Sequence, residues 1–353
     1  MTFYERFNRI YNAAQRAIAT EKCVMAAKKI AALPSYYPEK ERKSLQQRIR
    51  DNRQWARKYG EKNEFYTLYG FDVADGPDQD EYLDYWHFRD DRNRINHLGS
   101  DDAQLVLLRD KFLFYQYLKC YDIPMPEVFA LIRDGHIFDL GLREIGEEGL
   151  RGEKDYFLKD SDGECASFVK HIDDYNGFLQ VKDQLGSGSY ILQRKVVQSA
   201  EMDVLNPHAI NTLRIVTMNR HGRCYVLTSL LRVGTAKTGH VDNWAVGGLA
   251  IGIESTGYLK KYGFYKPSYG LKESVHPDTG VEFSSFRVPG YDDACALACR
   301  AHQAFYNVGT IGWDVAITED GPVFIEGNDN WEISLLQACD RPLRREWAEA
   351  VKD

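Results

Sequence analysis

The sequence predicts an α+β protein of more than one layer, with a helical N-terminal extension. Three observations predict it. Apolar residues recur at helical spacing through the first sixty positions, short β-type runs alternate with helical ones from about 105 to 200, and β-type runs dominate from 210 until a helical segment closes the chain. This order divides the chain into a helical extension at 1–100, a mixed lobe with a linking helix at 101–200, and a β-rich C-terminal lobe at 201–353.

Phe3, Phe7, Ile10, Ala14, Ala17, Val24 and Ile30 fall at roughly helical spacing with Lys and Arg between them, which predicts a helix over 2–33 closed by Pro34 and Pro38. A second helix is expected over 39–60, ending at Gly60. Residues 61–100 are aromatic, acidic and turn-rich, so short elements are expected there. A helix over 101–122 follows, with Asp101 and Asp102 at the end where the helix dipole favours acids, and Ile123-Pro124-Met125-Pro126 breaks it. Residues 128–132 and 156–159 read as strands, Asp134-Gly135 as a turn, 167–184 as a helix, and 190–193 with 196–197 as strand. Strand character then covers 211–219, 223–233 and 249–254, with His221-Gly222 as a hairpin-like turn. A helix over 291–308 leads to Gly312–Thr318 and Pro322–Glu326, which pair around Glu319-Asp320-Gly321, and a last helix spans 333–351. Neither a GxGxxG after a strand nor a GxxxxGK[ST] occurs, so a doubly wound nucleotide fold is not expected.

The 353 residues are 44% hydrophobic and 27% charged, the balance of a globular chain long enough to bury a large core. A net charge of -7 argues against a dedicated nucleic-acid binder. The charge is uneven: residues 1–60 hold 14 Lys/Arg against 5 Asp/Glu, whereas 71–91 hold 8 Asp/Glu and one Arg. Solvated or internally paired faces are the simplest reading, and peripheral attachment to a membrane surface through the basic stretch is the alternative. The seven cysteines include no CxxC, and Cys295 and Cys299 have no His at zinc-binding spacing, which fits reduced thiols. Thr2-Phe3-Tyr4-Glu5-Arg6 does not resemble a signal peptide, and no apolar run approaches the ~18 residues of a membrane span. A cytoplasmic protein without a transmembrane segment is expected.

The most informative stretch runs from Ile311 to Asn330. Asp314 lies six residues before the Asp320-Gly321 turn and Glu326 five after it, so the two fall near one another across a hairpin. Glu326 and Asn328, two apart, share a face. One face therefore offers Asp, Glu and Asn oxygens, which suit a hard cation such as Mg²⁺ held against substrate phosphates. A carboxylate after Val323-Phe324-Ile325 is costly to bury unless it is paired or metal-bound, so a buried ion pair is the competing reading.

The pattern Asp-x(11)-Glu-x-Asn at the end of such a chain resembles the metal site of ATP-grasp enzymes, and most nearly the sugar-transfer-associated ATP-grasp family linked to polysaccharide biosynthesis. The phrases that carry the resemblance are Asn211-Thr212-Leu213-Arg214-Ile215-Val216-Thr217, Asp242-Asn243 with Gly247-Gly248-Leu249, and Gly312-Trp313-Asp314 through Ile325-Glu326-Gly327-Asn328. It covers roughly 105–345. It implies two α+β lobes that sandwich ATP, with the mixed lobe as central lid and the metal site in the C-terminal lobe.

By the same resemblance Asp314, Glu326 and Asn328 would hold Mg²⁺, or Mn²⁺ in its place. Lys111 and Lys159 would meet the phosphates. The Gln193, Arg194, Lys195, Val196 strap would read adenine, with Gln193 where many relatives carry an acid. Glu201 fits the ribose, and Asn211 either contacts phosphate or supports its strand. Arg214 and Arg232 would stabilise the transferring phosphoryl group or anchor the acceptor acid, and Gly247 and Gly248 would line the γ-phosphate side. The loop after Lys159, Asp160-Ser161-Asp162-Gly163-Glu164-Cys165-Ala166, departs from the glycine-rich phosphate cover of relatives. His240 is a candidate base or an incidental loop residue, and Asn330 and Trp331 border the substrate pocket or, for Trp331, fill the core.

The activity implied is a Mg·ATP-dependent carboxylate–amine ligase that works through an acyl phosphate on small, sugar-linked acid and amine substrates. The alternatives are a small-molecule kinase and a non-catalytic nucleotide-binding partner of glycosyltransferases.

Overall fold

A computed structural model describes residues 20–100, 104–162, 168–220, 222–239 and 242–352. Its contacts divide the chain into two compact units. One takes the described residues up to Asn93, Phe264–Glu273 and those from Glu332 on, and the other takes Arg94–Gly263 and Ser274–Trp331. Helices lead and antiparallel sheets follow, so the α+β expectation holds.

The first unit is mainly helical. Numbered along the whole chain, its elements are α1 (20–31), α2 (Leu45–Tyr59), α3 (Tyr85–Ile95, which runs on into the second unit), the two-residue β10 (Lys272–Glu273), α9 (Ser334–Cys339) and α10 (Arg344–Ala350). The expected helix over 2–33 is present at 20–31, and its earlier part lies outside the described residues. The helix expected over 39–60 starts at Leu45 because Ser44 caps it: the hydroxyl accepts from the Gln47 N–H while the Gln47 side chain returns to the Ser44 N–H. Gly60 ends it at a positive φ, donating its N–H to the Ala56 carbonyl. Trp55 on α2 packs with Ile30, Tyr66, Tyr69, Phe71 and Tyr82 in an aromatic core. The single helix expected over 333–351 is two, because Pro342 lacks an N–H and drives Arg341 out of helical conformation.

The second unit holds two antiparallel sheets. The smaller is built from β1 (Val128–Arg133), β2 (His136–Phe138), β3 (Tyr156–Asp160), β4 (Val169–Ile172) and β5 (Ser189–Arg194), in the order β2-β1-β5-β3-β4. Its faces follow the two-residue period of a strand, except at the register shift between Val128 and Ala130, which puts Val128 out of step. Ala130, Ile132, Leu158 and Leu192 meet Phe178 of α6 (Tyr175–Val181) on one face. Val128, Leu131 and Ile191 meet Phe112 and Tyr115 of α5 (Lys111–Lys119) on the other. The larger sheet carries, in order, β9 (Leu259–Phe264), β8 (Leu249–Ile253), β7 (Arg223–Val233), β6 (Thr212–Arg220), β11 (Thr310–Thr318) and β12 (Gly321–Asn328). It is covered by α8 (Tyr291–Ala304), whose Ala294, Ala298 and Ala301 are buried. Short helices α4 (Leu105–Arg109) and α7 (Ala200–Asp203) complete the unit.

Several expectations are corrected. The helix expected over 101–122 is broken between α4 and α5, where the Asp110 carboxylate accepts the Leu113 N–H and so caps α5; Asp101 and Asp102 lie outside the described residues. Residues 167–184 are not one helix: β4 comes first, and Asp174 then caps α6 by accepting the Gly177 N–H. Val196-Val197 is not strand, since β5 ends at Arg194 and Val197 is 71% exposed. The helix at 291 ends at Ala304 rather than 308, α3 runs eleven residues where only short elements were expected, and β9 was not foreseen. His221, half of an expected turn, lies outside the described residues. Among the described residues no helix is long and apolar enough to cross a membrane.

Candidate phosphoryl-transfer site

The hairpin β11–β12 places Asp314 directly opposite Glu326, with a bulge between Asp314 and Val315. Trp313, one residue away and on the other face, is buried among Phe114, Phe305 and Phe324. Alternation therefore sends the indole into the core and the carboxylate to the opposite side. Asn328 donates its amide N–H to Glu326 Oε1 at 3.0 Å, which joins the two across one intervening residue.

Neighbouring strands bring cations to Asp314. Arg214 on β6 pairs with Asp314 in register, and its Nε and Nη2 donate to Oδ1 at 2.5 Å and Oδ2 at 3.1 Å. Arg232 on β7 pairs in register with Thr212, two residues before Arg214, and reaches the same carboxylate with Nη2 at 2.8 Å from Oδ2. Asp314 is 3% exposed, so a bidentate fork and a second guanidinium meet a buried acid. A further carboxylate extends the chain: Asp242 Oδ2 lies 3.6 Å from Arg232 Nε and accepts the Thr212 N–H at 3.0 Å. The ion chain thus reads Asp242, Arg232, Asp314, Arg214, with Glu326 alongside.

The electrostatics follow from this order. Burial pushes the Asp314 carboxyl up, but Arg214 and Arg232 outweigh it and hold the group below its ordinary value. Burial, with Asp314 as the next cause, raises Glu326. Burial also raises Asp242, against the pull of Arg232. For Arg232 burial works against the charge, and Asp314, Asp242 and Glu326 more than offset it.

The smaller sheet contributes Lys159 and Gln193. Lys159 donates to Gln193 Oε1 at 2.7 Å, and Gln193 donates to the Pro126 carbonyl at 3.4 Å. Burial brings Lys159 down to about 8; Glu326 opposes the shift and Lys111 adds to it, so these three charges feel one another. Lys111 opens α5, donates its N–H to the Ser161 carbonyl at 2.7 Å, and has Nζ 3.7 Å from Asp160. Ser161 in turn donates its hydroxyl to Asp110 at 2.8 Å, which ties the start of the loop after β3 to the start of α5. Residues 163–167 of that loop lie outside the described residues, as does His240.

The other candidates are spread more widely. Lys195 is exposed and pairs with Asp155 at 3.2 Å, and Val196 is half-buried. Glu201 is exposed in the first turn of α7. Asn211 is buried and donates to Gln198, Met202 and Asn206, bracing the segment before β6, while its Oδ1 has no hydrogen-bond partner among the described residues. Gly247 and Gly248 close a tight turn after Asn243, whose side chain accepts the Ala245 N–H. Asn330 is exposed, whereas Trp331 is a core residue, 1% exposed with its indole N–H on Thr310.

The hairpin donors are all oxygen, the chemistry Mg²⁺ prefers. Glu326 and Asn328 fit that role directly. Asp314 fits it only in exchange for guanidinium hydrogen bonds, because both its oxygens are engaged. Among the described residues no three His, Cys, Asp or Glu side chains are grouped to hold a metal ion, so further ligands would be the Asn328 amide and substrate oxygens.

No curated protein matches this sequence. Solved structures of low likeness include the N5-carboxyaminoimidazole synthase of Aspergillus clavatus with ADP and 5-aminoimidazole ribonucleotide (TM-score 0.40, 12% identity, 65% of this chain and 46% of that one). Others are the RimK-domain ATP-grasp protein of Sphaerobacter thermophilus (0.37, 16%, 66% and 65%) and the L-amino acid ligase of Bacillus licheniformis (0.39, 11%, 64% and 41%). The chain therefore spans less than two thirds of the length of each. Residues 181–352 match the family described as sugar-transfer associated ATP-grasp, and this stretch holds Gln193, both arginines, Asp242 and the whole hairpin. The likeness to the sugar-transfer associated ATP-grasp family thus rests on residues 181–352, just under half of the chain.

Proposed function

We propose that this protein uses Mg·ATP to convert a carboxylate into an acyl phosphate and passes the acyl group to an amine. The observation that carries the reading is the cross-strand pair of buried Asp314 and half-buried Glu326, flanked by Arg214 and Arg232, within the stretch that matches the ATP-grasp family. A site that mixes buried carboxylates with guanidinium and ammonium groups suits phosphoryl transfer, where positioning and charge neutralisation supply most of the acceleration.

In this reading Lys159 and Lys111 hold phosphate oxygens, and the segment from Gln193 through Lys195 to Val196 lies along the adenine. Glu201 meets the ribose, and Asn211, Gly247 and Gly248 shape the phosphate end. Asp314, Glu326 and Asn328 would hold Mg²⁺ or Mn²⁺, which supplies charge neutralisation on the phosphates. Arg214 and Arg232 orient the acceptor carboxylate and the phosphoryl oxygens through their planar forks. An oxygen of that carboxylate attacks the γ-phosphorus in line, and the bond to the β–γ bridging oxygen breaks with its electron pair leaving on ADP. The amine nitrogen then attacks the acyl carbon, inorganic phosphate departs, and the nitrogen loses a proton. The family's description as sugar-transfer associated supports a sugar-linked acid or amine.

The test is thermal melting with ATP, with and without Mg²⁺, for wild type and Glu326→Gln. A ligand bound only by the folded state at a hundredfold excess over its dissociation constant adds ~2.7 kcal/mol. A Mg²⁺-dependent rise that shrinks in Glu326→Gln is expected, and its absence in both proteins overturns the reading. Acid and amine pairs are then screened for ADP release. Release that needs both substrates identifies the ligase, and release with a single acceptor identifies a kinase.

A further inference from the structure

Asp242 has no part in the assignments above, yet it is among the most firmly placed groups at the site. Its Oδ2 accepts the Thr212 N–H at 3.0 Å. The backbone carrying it is fixed by Gly248, where an added Cβ would stand 2.6 Å from the Asp242 carbonyl oxygen. Gly248 also donates its N–H to the Asn243 carbonyl, closing the turn behind Asp242.

Opposite this carboxylate, Arg232 is held at one end only. Its Nη2 donates to Asp314 at 2.8 Å. Its Nε is buried, makes no hydrogen bond among the described residues, and lies 3.6 Å from Asp242 Oδ2, just beyond hydrogen-bond range. The guanidinium therefore stands between two acids, bonded to one and facing the other. The two acids differ in what else they can do. Asp314 faces Glu326 and belongs to the oxygen set that suits a cation, but it can serve one only by giving up guanidinium hydrogen bonds. A guanidinium released within the site and left without an acid would be a buried unpaired charge, which is strongly unfavourable. Asp242 is positioned to prevent that.

We propose that Asp242 is a positioning residue that retains Arg232 when Asp314 turns to a divalent cation, so that the cation and the nucleotide enter without expelling the guanidinium. This rests on the reading of Asp314 and Glu326 as the cation-facing pair. Asp242 then governs how much Mg²⁺ strengthens nucleotide binding, and has little effect on nucleotide binding without metal.

The experiment is calorimetric titration of the full chain with ADP, with and without Mg²⁺, for wild type, Asp242→Asn, Arg232→Lys and the double variant. Asn keeps an acceptor oxygen for the Thr212 N–H and removes the charge. Wild type is expected to bind ADP more tightly with Mg²⁺. Asp242→Asn is expected to match wild type without Mg²⁺ and to lose about tenfold of the Mg²⁺ gain, the scale of one charge-assisted hydrogen bond. Arg232→Lys, which leaves the loop untouched and cannot bridge two acids, should lose the same gain, and the double variant should lose no more than either single one. A full Mg²⁺ gain in Asp242→Asn overturns the inference and leaves the ATP reading standing. Absence of ADP binding in wild type overturns both. An equal weakening with and without Mg²⁺, together with a lowered melting temperature, shows a merely structural carboxylate and also overturns the inference.

Discussion

Lys159 shows how a single residue reports on the site. Its ammonium sits where burial disfavours charge, and its value falls from 10.5 to about 8. Between those two values the unfolded chain binds the proton and the folded chain has released it, so stability from this group rises with pH across that window. Wild type should therefore gain on Lys159→Met by on the order of 1–3 kcal/mol between pH 7.5 and 10 in urea denaturation. Parallel pH responses of the two proteins would falsify the burial argument. At this scale the sequence was partly legible. Asp314 and Glu326 were expected to meet because a strand pair with a known turn fixes who faces whom. The guanidinium clamp on Asp314 was not expected, because it depends on which strands lie beside β11, and side-chain spacing along one strand carries no such information. Asp242 stood inside a phrase marked by its glycines, in the loop after β7, and its partner Arg232 lies near the end of β7 itself.

At the scale of elements, what the sequence hid was mostly where helices stop. Periodicity runs unbroken through Asp110, yet its carboxylate serves the backbone better as a cap than as a helical side chain. Asp110→Ala should cost ~1–2 kcal/mol in the urea midpoint, and Asp110→Asn, a comparable cap, a small fraction of that. Equal losses for the two would show that the hydrogen bond from the Ser161 hydroxyl, not capping, is what matters. The same competition explains Asp174, which ends an extended segment and starts α6 inside a stretch that reads as continuous helix. By contrast the hairpin β11–β12 was readable in its turn and its pairing, since Asp320-Gly321 marks the turn between two apolar runs, though not in the bulge after Asp314.

For the whole molecule, single groups in the two units carry opposite pH signatures, Lys159 in the second and Glu61 in the first. In the first, Glu61 accepts from the Trp55 indole and the Tyr85 N–H, and burial raises its carboxyl to about 7. The folded form then holds a proton that the unfolded chain has lost, so this group's stabilisation is complete below 4.5 and disappears as pH rises through about 7. Glu61→Gln keeps the acceptor oxygen and should be more stable than wild type at pH 8 by on the order of 1–2 kcal/mol, with the difference gone at pH 4.5. Scanning calorimetry of both proteins across that range checks it, and a variant that is less stable at pH 8 would show that the charged carboxylate is needed. The sequence foretold helices first and sheets later. That the last residues would join the N-terminal helices in one unit depends on long-range packing, which local patterns do not encode.

The ion chain lies across strands rather than along one, and this bears on how the sheet assembles. Asp314, Arg214 and Arg232 come from three adjacent strands, and each contributes one charge to a single face. A slip of one residue in any of the three would turn its charged side chain to the opposite face. Asp314 would then be buried with a missing partner, a fault that costs ~3–5 kcal/mol for a broken buried pair. Misaligned sheets are thereby penalised at the ion chain itself, so these charges also proofread the alignment of the strands that carry them.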